Sequence, residues 1–330
     1  MDVARLASLA SEIDTAAGRI AAFSSETPLL RIPELDRRAG GEIYLKAECL
    51  QPTGSFKIRG ALNAMSALRE TQAVDRVIAF SSGNHGIGVA YAGRCLNMKS
   101  VIVVPHDAPV TKVDRIRGLG AEVVFYDRNA EDREEVAARL VAQQPAPLVK
   151  PYDDWDTIAG QGTCGLEALR QSTKPFDSAI VCTGGGGLAA GIGTYLRHHN
   201  PDASIFTAEP AGWDDHRQSL TLGSRTSAAG TGSQWCDGLL APIPGELTFG
   251  INQANQATGL TASDSSIFRA MLYAWRALGL RLEPSGAVAL ACVLSNLERF
   301  KEQRLLVTLT GGNVDEARFS EALALAGEAA

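Results

Sequence analysis

Short apolar runs rich in β-branched residues recur along this chain, separated by stretches with helical spacing, and that alternation leaves few architectures open to it. Val77-Ile78-Ala79-Phe80, Val101-Ile102-Val103-Val104, Val123-Val124-Phe125, Ile180-Val181 and Leu305-Leu306-Val307-Thr308-Leu309 read as strands. Residues 58–70, 111–119, 131–143 and 263–278 read as helices. Strands apolar along their whole length are buried on both faces, the pattern of parallel sheets covered by helices. In such sheets ligands bind beyond the carboxyl ends of the strands. Four polar or glycine-rich turns lie there: Ser81-Ser82-Gly83-Asn84-His85-Gly86, Thr183 with the glycines after it, Glu209-Pro210, and Thr310-Gly311-Gly312-Asn313. If the strands are parallel neighbours, these turns converge on one cleft.

The second of these turns is the most specific. Gly184, Gly185, Gly186 and Gly187 stand between the apolar run Ala179-Ile180-Val181-Cys182 and a small-residue helix that opens at Leu188. A strand-to-helix turn without side chains lets backbone N–H groups point inward together, and the helix start adds partial positive charge, so the turn suits a phosphate. No Lys-Ser/Thr pair follows, which excludes the nucleotide-triphosphate loop. A dinucleotide fingerprint starting at Gly185 and Gly187 would place glycine where Ala190 stands, which argues against a nicotinamide oxidoreductase.

At 330 residues the chain is long enough for two domains. A net charge of −6 without a Lys/Arg cluster argues against a nucleic-acid surface. Cys49, Cys95, Cys164, Cys182, Cys236 and Cys292 are scattered and form no CxxC pair, so neither a zinc ribbon nor a redox dithiol is expected. Residues 1–23 carry charges at short intervals and read as an amphipathic helix, not a signal peptide. No apolar run approaches the roughly 18 residues of a membrane helix. The expectation is a soluble, cytoplasmic protein that binds neither nucleic acid nor membrane.

Lys57 falls in the first turn of a helix that opens Ser55-Phe56-Lys57-Ile58-Arg59-Gly60. The positive end of the helix dipole disfavours an ammonium there, and burial would add to this, pushing the side chain toward a neutral, nucleophilic amine. Six stretches then occur in order: Gly54-Ser55-Phe56-Lys57-Ile58-Arg59-Gly60-Ala61, Ser81-Ser82-Gly83-Asn84-His85-Gly86, Ala159-Gly160-Gln161-Gly162-Thr163, the tetraglycine with Leu188, Glu283-Pro284-Ser285-Gly286-Ala287, and Gly311-Gly312-Asn313-Val314-Asp315. Together they resemble the fold-type II pyridoxal-phosphate enzymes of the threonine/serine dehydratase and serine racemase group, over residues 27–315.

The resemblance implies an α/β fold of the tryptophan synthase β type in two domains. The large cofactor-binding domain would comprise residues 1–78 and 151–330, and a small inserted domain residues 79–150. It implies that Lys57 carries pyridoxal 5′-phosphate as a Schiff base, with Phe56 near the ring. Gly184, Gly185, Gly186, Gly187 and Leu188 would hold the phosphate, Asn84 the ring's phenolic oxygen, and Thr310 would face the pyridine nitrogen where many relatives have serine. Ser81, Ser82, Asn84 and His85 would bind the substrate carboxylate, with Ser82 placed where racemases put a second acid/base. Glu209, the backbone carbonyl of Trp213, and Asp215 would bind Mg²⁺ or Ca²⁺; hard oxygen ligands suit both ions.

The implied reaction is loss of the β-hydroxyl and then ammonia from an L-threonine- or L-serine-type amino acid, giving a 2-oxo acid. The alternatives are amino-acid racemisation, or a dehydratase specific for 3-hydroxyaspartate or a bulkier substrate such as phenylserine. Lys150, where many threonine dehydratases have histidine, is a candidate partner for a second substrate carboxylate. Relatives form dimers or tetramers, so a homo-oligomer is expected, and feedback control through an appended regulatory domain is not expected.

Overall fold

The computed structural model describes residues 3–72, 74–232 and 234–328. Among them the strands are β1 (Leu29–Arg31), β2 (Glu42–Lys46), β3 (Arg76–Phe80), β4 (Lys99–Pro105), β5 (Glu122–Tyr126), β6 (Ser178–Cys182), β7 (Ser204–Pro210), β8 (Thr258–Ala262) and β9 (Arg304–Thr308). One sheet has the order β1-β2-β9-β6-β7-β8 and draws on both ends of the chain; the other is β3-β4-β5. All pairings are parallel except β1 with β2. The division proposed at 78/79 falls within β3, whose first residue is Arg76.

Parallel pairing demands cover on both faces, and the sequence supplies it. Ile43, Leu45, Ile180, Leu305 and Val307 are fully buried. The helix Pro284–Ser295, buried from Pro284 to Val293, covers one face of the large sheet. On the other face, the helices Trp155–Gln171 and Gly187–His199 pack so closely that a Cβ at Gly191 would lie 2.6 Å from Gly162 N and Ile158 O. The helix Val3–Ile20 lays Leu9, Ile13, Ala16 and Ile20 inward at helical spacing, as its amphipathic pattern requires; Met1 and Asp2 lie outside the described residues. Among the described residues no helix is long and apolar enough to cross a membrane.

This topology positions the site. β9, β6 and β7 are adjacent and parallel, so Thr310, the tetraglycine and the Glu209-Pro210 end share one sheet edge. The helix Lys57–Gln72 starts beside it, because Phe56 N–H donates to Thr310 O at 3.1 Å. The turn after β3 meets the same edge through Asn84, which bonds Glu283 and Asn313.

Candidate active site

Lys57 is the first residue of its helix, half-buried between two rings: Nζ lies 5.2 Å from the Phe56 ring centroid and 6.0 Å from that of Tyr152. Nζ donates to Pro151 O at 2.8 Å. Burial lowers its pKa to about 8, so a substantial fraction of the amine is neutral near physiological pH. The helix behind it is anchored by charge. Arg59, fully buried, forks onto both oxygens of Glu48 (2.7 and 2.8 Å) and both of Glu167 (2.7 and 2.6 Å), and Lys46 adds a 2.9 Å bond to Glu167. Two cations and two carboxylates thus neutralise one another two residues beyond the lysine.

Facing Lys57, the tetraglycine lines the same cavity together with Leu188, Tyr152, Pro151, Gln161, Gly238 and Leu239. The first helical bond of Gly187–His199 is donated by Ala190 N–H to Gly186 O at 2.9 Å. The N–H groups ahead of Ala190 therefore have no helical acceptor and are available to an anion. Side chains are excluded there: a Cβ at Gly185 would lie 2.2 Å from the Tyr152 ring, and one at Gly186, whose φ is +94°, would lie 2.4 Å from His216 Nε2. Thr310 is buried at the end of β9.

The Ser81–Gly86 turn closes a third side. Asn84 Nδ2 donates to Glu283 Oε1 at 2.6 Å, and Asn84 Oδ1 accepts from Asn313 Nδ2 at 2.7 Å. Asn313 Oδ1 in turn accepts from Arg115, on the helix Val110–Gly118. Burial, helped by Asp237, raises the Glu283 carboxyl to about 8 against the Asn84 bond, so it is protonated at neutral pH. Ser81 Oγ accepts from Gly83 N–H at 3.1 Å, and Ser82 is half-buried on the same turn. His85 is buried, its Nε2 donating to Val149 O at 2.9 Å; burial, with Lys57 adding, lowers its pKa to about 3, so the ring is neutral. Lys150 has an exposed side chain outside the cavity lining, and its carbonyl accepts from Thr157 Oγ1 at 3.1 Å.

A second constellation lies behind the tetraglycine. Glu209 and Asp215 are fully buried, and His216, which the sequence reading passed over, joins them with ligand atoms within 4.8 Å of one another. Glu209 accepts His216 N–H at 2.9 Å and Arg217 N–H at 2.8 Å. Burial and the neighbouring Asp215 push the Glu209 carboxyl well above its ordinary range. Both Asp215 oxygens lack a hydrogen-bond partner. Trp213 sits on the turn between the two carboxylates, its indole N–H donating to Gly232 O at 3.1 Å. Tyr152, Glu283, Asn313 and His216 were not singled out as site residues. Glu283 and Asn313 lie inside recognised motifs, whereas nothing in the sequence marks Tyr152 or His216.

Comparison with known proteins now defines the class. Residues 20–311 match the family model described as pyridoxal-phosphate dependent enzyme, and the chain belongs to that family. It is 38% identical over 94% of its length to L-threo-3-hydroxyaspartate ammonia-lyase of a Pseudomonas species, covering 97% of that protein. It is 34% identical to the serine racemase of Schizosaccharomyces pombe, covering 94% of this chain and 96% of that one. Among solved structures, the processed threonine deaminase isoform 2 of Solanum lycopersicum superposes with a TM-score of 0.92 at 32% identity, over 99% of this chain and 95% of that one. The fold is thus that of a fold-type II pyridoxal-phosphate enzyme, as the motifs implied. The residues present fit the cofactor: unpaired N–H groups and a cradle without room for Cβ atoms suit its phosphate, and a lysine with a depressed pKa faces them.

Proposed function

We infer that the chain is an ammonia-lyase (dehydratase) that converts a 3-hydroxy amino acid to a 2-oxo acid and ammonia. The observation that carries this reading is Lys57, a half-buried amine with a pKa near 8 facing an anion cradle. Gly184, Gly185, Gly186, Gly187 and Leu188 would hold the cofactor phosphate through backbone N–H groups, and Lys57 Nζ would bind the cofactor covalently. When bound, pyridoxal phosphate supplies an electron sink that acidifies the substrate Cα–H. Phe56 packs beside the ring. Asn84, fixed by Glu283 and Asn313, has one amide hydrogen left that would serve the ring oxygen. The Thr310 hydroxyl would face the ring nitrogen, and being neutral it would leave the cofactor a weaker electron sink than a carboxylate partner would.

The N–H and hydroxyl donors of Ser81, Ser82, Asn84 and His85 bind the substrate carboxylate. The His85 ring does not serve as the cation, since it is neutral and turned to Val149 O. Lys57 Nζ would take the α-proton, and a proton passed on to the departing β-hydroxyl would let it leave as water. Addition of water to the released imine then gives the 2-oxo acid and ammonia. Glu209, Asp215 and the Trp213 carbonyl hold Mg²⁺ or Ca²⁺ in a structural role. The unpartnered Asp215 oxygens are the observation that favours this cation.

The hydroxyaspartate ammonia-lyase relative favours 3-hydroxyaspartate as substrate. The racemase relative favours a second reading, in which the Ser82 hydroxyl returns the proton to the opposite face. We place the protein in the cytoplasm as a homo-oligomer, with residues 79–150 as a small domain over a large one built from 1–78 and 151–330. The test is 2-oxo acid release by the holoenzyme with Mg²⁺ on L-threonine, L-serine, the 3-hydroxyaspartate isomers and phenylserine, with chiral analysis of recovered substrate. Fast 2-oxo acid release from one hydroxy amino acid supports the lyase. Inverted substrate without 2-oxo acid would replace it with the racemase.

A further inference from the structure

The imidazole of His216 lies between the carboxylate pair and the phosphate cradle, and neither role assigned so far uses it. The ring is fully buried at the start of the helix Asp215–Leu222. Nδ1 lies 3.7 Å from Asp215 Oδ2 and has no hydrogen-bond partner. On its far side Nε2 lies 3.3 Å from Asn252 Nδ2, and the same Nδ2 donates to Gly186 O at 3.3 Å. Asn252 is also fully buried. An amide nitrogen carries two hydrogens and no lone pair to offer, so one hydrogen serves Gly186 O and the other serves Nε2. Nε2 is then the acceptor, which leaves Nδ1 to carry the ring hydrogen on the side of Asp215. Asp215, His216 and Asn252 are thus fully buried in a row that leads to Gly186, with a 3.7 Å approach at the Asp215 end and hydrogen-bond contacts at the Asn252 end. The row ends on the residue at φ +94° whose backbone heads the phosphate-binding helix.

We propose that His216 and Asn252 are positioning residues that couple the cation site to the cofactor cradle, so that cation binding at Glu209 and Asp215 slows cofactor release. This rests on the cation reading above and is independent of the substrate. A cation on Asp215 draws the carboxylate into a fixed orientation, and the Nδ1–H group follows it, because hydrogen bonds behind a metal-bound carboxylate set its direction. The ring is held between that carboxylate and Asn252, and Asn252 is held to Gly186 O. The cation thus restrains the glycine whose neighbours carry the phosphate-facing N–H groups. Couplings between two such sites are typically 5- to 150-fold, so a change in release rate of roughly tenfold is expected.

The experiment follows release of pyridoxal phosphate from the full-length holoenzyme by its protein-bound absorbance, in chelator and with added Mg²⁺ or Mn²⁺. Cation binding is measured separately by Mn²⁺ electron paramagnetic resonance. In the parent protein Mn²⁺ binds, and cations slow release roughly tenfold. In His216→Ala and Asn252→Ala, Mn²⁺ still binds but the release rate becomes indifferent to it. A merely structural loss would speed release equally with and without cation, which overturns the coupling. Release in the parent that ignores bound Mn²⁺ also overturns it. Directly bonded nitrogen in the Mn²⁺ spectrum of the parent would make His216 a ligand and refute the positioning role, even if neither variant folds. Absence of any Mn²⁺ binding removes the cation site itself, a result separate from the other three.

Discussion

Arg59→Met is the sharpest test of how the lysine-bearing helix is held. The substitution keeps an unbranched apolar stem and removes the guanidinium with its charge. Glu48, fully buried, would lose bonds to both of its oxygens and keep only Thr27 Oγ1 at 2.6 Å and Gln51 Nε2 at 3.3 Å. Glu167 would retain Lys46. Removing one partner of a buried ion pair costs about 3–5 kcal/mol, against a total stability of about 5–15 kcal/mol for a typical protein.

The pH dependence identifies the cause. In the parent, burial alone would raise the Glu48 carboxyl, but the charge and hydrogen bonds of Arg59 override it and hold the carboxyl below its ordinary value. Its contribution is therefore present above the unfolded-state pKa and lost as pH falls through the folded one. Without Arg59, burial dominates and the folded-state pKa rises above the unfolded one. Protonation then relieves the variant as pH falls. Urea unfolding should show the full penalty at neutral pH and a smaller one at mildly acidic pH, and adding Glu48→Gln should recover part of it. A penalty below about 1 kcal/mol, or one identical at both pH values, would refute the reasoning.

Two further outcomes follow from the site. Glu283, raised to about 8 by burial and then by Asp237, keeps its proton on folding where the unfolded chain has lost it. The parent therefore loses stability as pH rises from the ordinary carboxylate range to about 8, and Glu283→Gln should gain relative to it over that window and level off above; parallel denaturation curves would contradict this. Gly186→Ala places a Cβ 2.4 Å from His216 Nε2 at a φ of +94°. Left-handed strain and overpacking each cost about 1–3 kcal/mol, so cofactor affinity measured by absorbance titration should fall at least roughly tenfold. Unchanged affinity would show that the cradle tolerates a side chain.

Much of the fold was legible because β4, β6 and β9 carry the apolar runs Val101-Ile102-Val103-Val104, Ala179-Ile180-Val181-Cys182 and Leu305-Leu306-Val307, the pattern of a doubly covered parallel sheet. β1, β2 and β8 were not read. β1 is three residues on an antiparallel edge, β2 opens and closes on the charged Glu42 and Lys46, and β8 mixes exposed threonines with a glycine, so none presents a long apolar run. The glycine turn that lines the cavity beside Lys57 was legible because four glycines in a row follow an apolar strand. His216 and Asn252 stand 36 residues apart and meet only through the packing of two helices, which no local pattern records. Lys57 was read as depressed partly by its helix; burial accounts for the shift found. Lys150 drew notice from its place in a motif, but the lining there comes from Pro151 and Tyr152.

The central claim is that Lys57 carries the cofactor and the proton. Borohydride reduction of the holoenzyme, followed by peptide mass spectrometry, tests it most directly. The reduced cofactor mass is expected on the peptide containing Lys57, with Lys57→Ala unlabelled and without turnover. Label on another lysine, or substantial turnover by Lys57→Ala, would contradict it.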